Sequence, residues 1–398
     1  MKPFLHAHAT HPDAHLALAL AAAQIEAQRN KTPQQPTLGW LYLTEAFVPK
    51  AEALLAELRL RWPGVAWVGA SGVGICASGV EYFDEPALAL MLAELPAGQF
   101  RVFNGARPLG RWDAELTQVH ADGSTVELQE LLTELADETR SGYLFGGLAS
   151  GRRDSVHLAD GVWRGGLSGV AFAAPADSGL RVLSRVSQGC QALGPERRIS
   201  ACDGSLVLAL DGRPALDCLL EDLALPISSG ASATAANLRE AVPRFRRTLV
   251  GLNRGAGDAI RRGGGAAYGA EVLVRHLVGI DPVRRGVAVS EQVQPGHALS
   301  FCERSPEAAR RDLLRICTEL RGEAEDRPAI DGSSSIAGAI YISCAGRGGP
   351  HFGAPSAEAQ WVRHALGDVP LVGLFAGGEI AHASLYGYTG VLSVFMKS

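Results

Sequence analysis

The sequence predicts an α/β (α+β) protein of two related domains, in which mixed sheets are flanked by helices and the chain is internally duplicated. Two observations support this fold class. An apolar run of strand length that ends in Gly, with another Gly five positions later, occurs three times, at 65–74, 142–151 and 369–378. Hydrophobic residues make up 47% of the 398 residues and charged residues 20%, so the chain can bury two substantial cores.

The first and last copies of this pattern share a longer unit. A predicted strand at 38–44 and a predicted helix at 51–62 precede the first copy, and a strand at 338–343 and a helix at 357–366 precede the last. The strands are rich in β-branched and aromatic residues, and the last helix has apolar residues at i, i+3 and i+4 spacings. A helical pattern at 127–139 precedes the middle copy, which we interpret as a partial copy inside the first domain.

The two domains are predicted to span 1–210 and 211–398. The first includes an N-terminal strand and a helix at 13–29, for which Asp13 is a plausible N-cap. The apolar run at 16–23 resembles the core of a signal peptide. The residues before it do not form a cationic head, so we assign the run to the helix of the folded protein.

Composition excludes several function classes. The net charge is −5, whereas a dedicated nucleic-acid binder needs a basic surface. The seven cysteines are widely spaced and form no Cys-x-x-Cys pair, which argues against a zinc ribbon, a redox dithiol or a disulfide framework. No apolar run approaches the roughly 18 residues that a membrane span needs. We therefore expect a cytoplasmic protein with no nucleic-acid or membrane partner.

Function is predicted to concentrate between Ser343 and Phe395. Three apolar, strand-like pieces in this stretch end in glycine, and glycine allows the backbone to approach a ligand closely. The residues beside these breaks, together with the equivalent bend of the first copy, form the predicted ligand-binding set: Cys344, Arg347, Gly348, His351, Gly378, Glu379, Thr389, Ser71 and Gly72.

Three of these side chains suggest specific chemistry. Arg347 lies between glycines, and its planar guanidinium suits a carboxylate, either of a ligand or of Glu379. Glu379 follows a buried strand, where an unpaired carboxylate is costly, so we expect it to hold Arg347 or a ligand amine. Cys344 is a ligand contact, a thiolate nucleophile or a small residue packed at a strand end. No Cys-His-Asp order or other catalytic motif is evident, so we predict no catalytic residue and no enzyme.

Histidines supply the alternatives that involve a cofactor. His351 is a candidate ligand contact or haem ligand, although a loop histidine is more often neither. His6 and His8 alternate along the predicted first strand, and His11 and His15 follow, so a four-histidine metal site competes with a strand that exposes polar residues. We predict no metal and no resident cofactor, with haem as the alternative.

The motifs resemble a known family. Ser-Cys-Ala-Gly-Arg-Gly at 343–348, Val-Pro-Leu-Val-Gly-x-Phe-Ala-x-Gly-Glu-Ile at 369–380 and Tyr-Thr-Gly-Val-Leu at 388–392 are similar to the FIST C-domain. Val-Gly-Ala-Ser-Gly-Val-Gly at 68–74 and Leu-Phe-Gly-Gly-Leu-Ala-Ser at 144–150 are similar to the FIST N-domain, although the first bend has Ala-Ser where that domain commonly has Cys or Ser-Thr.

The resemblance implies a sensory protein of intracellular signal transduction that binds a small ligand, with amino acids as suspected ligands. Some relatives are haemoproteins that sense nitric oxide. We therefore predict a small-molecule ligand, an unknown downstream signalling partner and a possible homo-oligomer. The alternatives are a haem-based nitric oxide sensor, an enzyme that uses Cys344 and a protein-interaction scaffold without a small ligand.

Overall fold

A computed structural model describes residues 2–174, 180–225, 242–253, 272–326 and 335–397. The chain divides into two compact units, of which the first comprises 1–189 and 309–398 and the second 190–308. The mixed α/β fold class is confirmed. The boundary expected at residue 210 falls within the second compact unit, and the extent of the two sequence domains stays a prediction.

Residues 1–189 form the larger part of the first unit. The elements of this part are β1 (Leu5–Thr10), α1 (Ala14–Lys31), β2 (Leu38–Thr44), α2 (Ala51–Arg61), β3 (Ala66–Gly72), β4 (Gly74–Ala77), β5 (Val80–Phe83), β6 (Ala87–Ala93), β7 (Phe100–Phe103), β8 (Ala114–Asp122), α3 (Leu128–Asp137), β9 (Thr139–Ala149), β10 (His157–Ala159), β11 (Val162–Trp163), β12 (Leu167–Phe172) and β13 (Leu180–Ser187).

The second unit follows, and the chain then returns to the first. The elements of the second unit are β14 (Cys190–Ala192), β15 (Arg197–Asp203), β16 (Leu206–Leu210), β17 (Arg213–Pro214), α4 (Ala215–Asp222), β18 (Thr248–Asn253), β19 (Leu273–Asp281), β20 (Gly286–Val289) and β21 (Ala298–Arg304). The returning elements are α5 (Pro306–Glu325), β22 (Ile336–Cys344), α6 (Ala357–Leu366), β23 (Leu371–Ala376), β24 (Glu379–His382), β25 (Ser384–Tyr386) and β26 (Gly390–Lys397).

The first unit contains three six-stranded sheets with the same topology. Sheet I has the order β1-β6-β2-β3-β10-β11, sheet II has β7-β12-β8-β9-β24-β25, and sheet III has β13-β26-β22-β23-β4-β5. Each sheet is centred on one parallel strand pair joined through a helix: β2-α2-β3, β8-α3-β9 and β22-α6-β23. The three copies of the sequence pattern therefore correspond to three sheets of one compact unit.

The repeated glycine of each copy has a common physical cause. In the parallel registers, Gly69 lies opposite Leu41, and Gly146 lies opposite Val119. A Cβ added at either glycine would lie 1.9 Å from the carbonyl oxygen of that partner, and the φ angles of 151° and 145° also favour glycine. Gly373 has the same relation to the Tyr341 carbonyl, at 1.7 Å. Close contact between strand backbones thus explains the periodic glycines.

The hairpins after these glycines are exchanged cyclically among the sheets. Hairpin β4–β5 of the first copy pairs with β23 in sheet III. Hairpin β10–β11 of the second copy pairs with β3 in sheet I, and hairpin β24–β25 of the third copy pairs with β9 in sheet II. Each copy therefore completes the sheet of another copy, which makes the three interdependent.

Helices cover one face of each sheet. Helices α1 and α2 pack on sheet I, α3 packs on sheet II, and α5 and α6 pack on sheet III. Aromatic side chains from the three sheets meet on the other face, where Phe395 of sheet III packs against Trp40 of sheet I and Phe172 of sheet II. The predicted N-cap of α1 is confirmed, since the Asp13 carboxylate accepts a hydrogen bond of 3.0 Å from the Leu16 N–H.

The second unit is a ring of antiparallel strands. Strand β21 pairs with β15, the ladder continues through β16, β20, β19 and β18, and β18 pairs again with β21. Closure of this kind leaves no free edge on the ring strands, and α4 packs against the same apolar core. Within the described ranges, no helix is both long and apolar enough to cross a membrane.

Candidate functional site

The candidate site lies where the parallel strands of sheet III end. Cys344 is the last residue of β22, and Ala376 is the last residue of β23. Helix α6, which connects these two strands, begins at Ala357. After β23, two glycines lead to Glu379, the first residue of β24. Ligands of sheets with parallel strands commonly bind outside the carboxyl ends of those strands.

Arg347 and Glu358 form a buried ion pair at the centre of the site. Their relative exposures are 1% and 0%. The Glu358 Oε1 atom lies 2.9 Å from Arg347 Nε and 2.7 Å from Arg347 Nη2. Glu358 also accepts hydrogen bonds from the Tyr341 hydroxyl at 2.7 Å and from the Ser343 hydroxyl at 2.8 Å. A buried pair is tolerated when its remaining hydrogen-bonding groups are satisfied, as the Glu358 oxygens are here.

The remaining guanidinium nitrogen of Arg347 is also engaged. Its Nη1 atom donates to the Ser187 carbonyl and hydroxyl oxygens, each at 3.2 Å, and Nη2 lies 3.2 Å from the same hydroxyl. Burial by itself would lower the pKa of Arg347, but the adjacent Glu358 carboxylate more than offsets this and raises it. Arg347 is therefore a fixed cation, with internal partners for all three nitrogens.

The partner of Arg347 corrects one sequence expectation. We expected its carboxylate to come from a ligand or from Glu379, whereas Glu358 in the first turn of α6 supplies it. The signal for Glu358 was present, because a carboxylate at 358 shares the inward face of the predicted helix with Val362 and Ala365. A charge on the apolar stripe of a helix indicates a buried partner.

Glu379 is fully buried, and only one of its two carboxyl oxygens has a hydrogen-bond partner. Its Oε2 atom accepts hydrogen bonds from the Thr389 N–H at 3.1 Å and from the Thr389 hydroxyl at 2.7 Å. Its Oε1 atom has no hydrogen-bond partner. Burial raises the pKa of Glu379 to about 8, although the Thr389 hydrogen bonds and the charge of Arg347 act in the opposite direction.

A third carboxyl group lies at the start of α6. Glu81 of β5 accepts a hydrogen bond of 2.9 Å from the Ala359 N–H, and its own N–H donates to the Ser356 hydroxyl at 3.0 Å. Burial raises the pKa of Glu81 to about 7, and the negative charge of Glu358 adds to this effect. No sequence motif groups Glu81 with Arg347, because an exchanged hairpin brings Glu81 to the site.

Backbone hydrogen bonds link Cys344 to both Thr389 and Arg347. The Cys344 N–H donates to the Thr389 carbonyl at 3.0 Å, and the Cys344 carbonyl accepts a hydrogen bond of 2.8 Å from the Arg347 N–H. His351 lies in a short 3-10 helix (Gly349–Phe352), with its ring centroid 4.7 Å from that of Phe352. The structure thus brings Arg347, Cys344, Glu379 and Thr389 together, and ligand binding by these residues stays a prediction.

The glycines of the predicted site serve packing more than we expected. A Cβ at Gly348 would lie 1.9 Å from the Phe83 ring, and one at Gly72 would lie 2.3 Å from the Gly74 carbonyl oxygen. At Gly378 the nearest atom would be a terminal carbon of Leu148, at 3.1 Å. Protein atoms therefore occupy the space beside Gly348 and Gly72, where we had expected a ligand to approach the backbone.

The bend of the first copy is held by protein groups. The Ser71 hydroxyl accepts a hydrogen bond of 2.9 Å from the Val156 N–H. Ser150 of the second copy donates to the Phe375 carbonyl at 2.7 Å and accepts from the Val73 N–H at 3.0 Å. Ser71 and Gly72 thus contribute to the junction of the three copies, and a second ligand site at this bend stays a prediction.

The N-terminal histidines take up structural positions. His6 and His8 both lie in β1, as predicted, and are partly buried, and His8 hydrogen-bonds to the Tyr82 hydroxyl. His15 pairs instead with Glu57 of α2, at 2.7 Å. Among the described residues, no group of three or more His, Cys, Asp or Glu side chains is arranged to hold a metal ion.

Family models match nearly the whole chain. The FIST N domain matches residues 37–213, and the FIST C domain matches residues 215–382. The chain belongs to the FIST family. FIST domains are sensory domains that are proposed to bind small ligands, and the resemblance predicted from the Gly-rich motifs is confirmed.

Two mycobacterial relatives align over nearly the full length of this FIST protein. An uncharacterized protein of Mycobacterium tuberculosis is 29% identical over 414 residues, which cover 97% of this chain and 98% of the relative. An uncharacterized protein of Mycobacterium bovis is 29% identical over 405 residues, which cover 97% of each chain. Each alignment therefore spans both FIST domains of this chain and nearly the whole length of the relative.

Proposed function

We propose that this FIST protein is a sensory protein of intracellular signal transduction, whose small polar ligand binds at the carboxyl ends of β22 and β23. Amino acids and related metabolites are the candidate ligands. The observation that carries the proposal is Glu379, whose carboxyl group is fully buried and whose Oε1 atom has no partner. Leaving a buried acceptor unsatisfied costs about 1–3 kcal/mol, which a ligand donor would recover.

The surroundings of Glu379 support binding rather than catalysis. Activation of Cys344 as a nucleophile would need a nearby cation to stabilise its thiolate, and Arg347 was the expected one. The guanidinium of Arg347 is instead committed to Glu358 and Ser187. We therefore propose that the protein is not an enzyme and that Cys344 shapes the site through its backbone hydrogen bonds.

The cysteines support a reducing compartment, and we propose the cytoplasm. The seven cysteines, all of which lie within the described residues, form no disulfide. A stable oxidising environment would favour disulfide-stabilised domains instead. The output of the sensor is proposed to pass to a separate signalling protein, through changes in the exchanged hairpin β24–β25 that begins with Glu379.

A ligand screen with one substitution tests the proposal. Thermal-shift assays of the full chain with amino acids and small amines should find compounds that raise Tm, and calorimetry should give their Kd values. Glu379→Gln should weaken binding by about tenfold or more, because a charge-assisted hydrogen bond contributes about 1.5–3 kcal/mol. Glu130→Gln on the exposed face of α3 is the matched control and should bind normally. Equal affinities of the wild type and Glu379→Gln would refute the assigned site.

A further inference from the structure

We infer that the group that this site recognises is an ammonium ion, bound at Glu379 Oε1, and that the ligand needs no carboxylate for Arg347 to hold. The inference rests on the proposed function and narrows its ligand class from amino acids to amines. The basis of the inference is the set of hydrogen bonds at the site: the polar groups of Arg347 and Glu358 already have protein partners, whereas Glu379 Oε1 has none.

Arg347 has no donor to offer a ligand carboxylate. Its Nε and Nη2 atoms contact Glu358, and its Nη1 atom contacts both oxygens of Ser187. The ring of Phe352 lies beside the guanidinium, with 5.8 Å between the Arg347 Cζ atom and the ring centroid. A ligand carboxylate would have to displace Glu358, which would leave that fully buried carboxylate without its cation.

The unused group is a carboxyl oxygen, which becomes a full acceptor once Glu379 loses its proton. Glu358 receives four donor contacts, and Glu379 Oε2 receives two from Thr389. Only Glu379 Oε1 is unpartnered among the carboxylate oxygens of these two residues. Arg347 and Glu358 already balance each other's charge, so ionisation of Glu379 would leave a negative charge that a bound cation could neutralise. An ammonium ion supplies both the positive charge and the N–H donors.

The hairpin that carries Glu379 has room for additional atoms. Tyr386 pairs with Glu379 across the hairpin, and a Cβ added at the next residue, Gly387, would meet no heavy atom within 4 Å. At Gly377, two residues before Glu379, an added Cβ would make ordinary contacts of 3.7–3.9 Å. The bend at Gly348 is filled by Phe83 instead. The backbone is therefore less crowded at Gly387, next to the strand partner of Glu379, than at Gly348 beside Arg347.

Binding should be coupled to loss of a proton. Near neutral pH the Glu379 carboxyl is protonated, since burial raises its pKa to about 8. The charged and titratable groups that face it are Arg347 and Glu358, with Glu81 and Tyr341 bound or adjacent to Glu358. An alkylammonium keeps its own charge at this pH, so Glu–COOH and R–NH₃⁺ give the Glu–COO⁻ and R–NH₃⁺ pair and one released proton.

Matched pairs of compounds test the inference. Each pair comprises an amino acid and the amine that lacks its carboxylate: alanine and ethylamine, serine and ethanolamine, phenylalanine and phenethylamine. We expect the amines to bind about tenfold more tightly than their amino acids, since a second buried carboxylate has no donor here. Binding of amino acids but not amines would overturn the inference and leave the proposed function standing. Binding of neither class would overturn both.

Two further measurements separate ammonium recognition from general effects. Potassium chloride and tetramethylammonium chloride supply a cation without N–H donors, and stabilisation by either salt equal to that by ethylamine would contradict the inference. Calorimetry of the unmodified protein in two buffers of different ionisation enthalpy should show release of about one proton per amine near neutral pH. No proton release would also contradict it, and this readout does not depend on whether Glu379→Gln folds.

Discussion

The first and third copies place different residues at the same position of one scaffold. In the third copy, Glu379 lies opposite Gly147, the residue after the repeated glycine of β9. In the first copy, Ile75 occupies the equivalent position opposite Leu374 of β23. The first copy thus shows that the exchanged hairpin forms with an apolar residue there. A carboxyl group at this position is not required by the fold, which is the argument for a ligand role of Glu379.

The second copy places His157 at this position, opposite Ala70 of β3. His157 is satisfied, because one ring nitrogen contacts the Ser168 hydroxyl at 2.6 Å and the other contacts the Gly165 carbonyl at 3.0 Å. Burial lowers its pKa and so favours the neutral ring. Of the three equivalent residues, Glu379 alone has both a buried unpartnered atom and a pKa near the physiological range.

The interior network between sheets I and II provides a second contrast. The Trp40 indole N–H donates to Gln118 at 2.7 Å, and the Gln118 amide donates to the Tyr42 hydroxyl at 2.9 Å. Tyr42 in turn lies 3.1 Å from His120 Nε2. Burial lowers the pKa of His120 to about 3, so this network contains no charge at neutral pH. The network around Arg347, where the site is proposed, contains a buried ion pair instead.

The largest expected effect comes from breaking the ion pair that distinguishes the third copy. Arg347→Met leaves Glu358 buried without its cation, which should lower the free energy of unfolding by about 3–5 kcal/mol. Urea denaturation followed by circular dichroism measures this change. The double variant Arg347→Met, Glu358→Leu removes both charges and should recover part of the loss. A single variant as stable as the wild type would show that the pair is unimportant for the fold.

Periodicity predicted the scaffold better than it predicted the site. The repeated glycines marked positions where strand backbones come into close contact. The predictions were close to the observed bounds for the strands at 38–44 and 338–343 and for the helix at 357–366. The cyclic exchange of hairpins could not be predicted, because strand pairing over 200 or more residues leaves no local pattern, as with β4 and β23. The same exchange brings Glu81 to the site. Glu358 was recoverable from helical periodicity, but its pairing with Arg347 depended on three-dimensional structure.

A smaller effect should appear in the pH dependence of stability. The pKa of Glu379 is raised from 4.5 to about 8 in the folded chain, so folding favours its protonated form. Its contribution to stability is fully present below about pH 4.5 and is lost as the pH rises through about 8. The free energy of unfolding of the wild type should therefore fall over this range, relative to Glu379→Gln, by up to a few kcal/mol, at about 1.4 kcal/mol per pKa unit. Parallel curves for the two proteins would contradict the raised pKa.

The smallest expected effect is the difference in stability between alanine substitutions at Gly348, where the bend is filled, and at Gly387, where it is open. Gly348→Ala places a methyl group 1.9 Å from the Phe83 ring, and displacement of that ring should cost about 1–3 kcal/mol, as in other overpacked cores. Gly387→Ala meets no atom within 4 Å and should change stability little. If the space at Gly387 serves the ligand of Glu379, the Gly387→Ala variant should nevertheless bind amines more weakly. Equal costs in the two variants, measured by urea denaturation, would show that the two bends are packed alike.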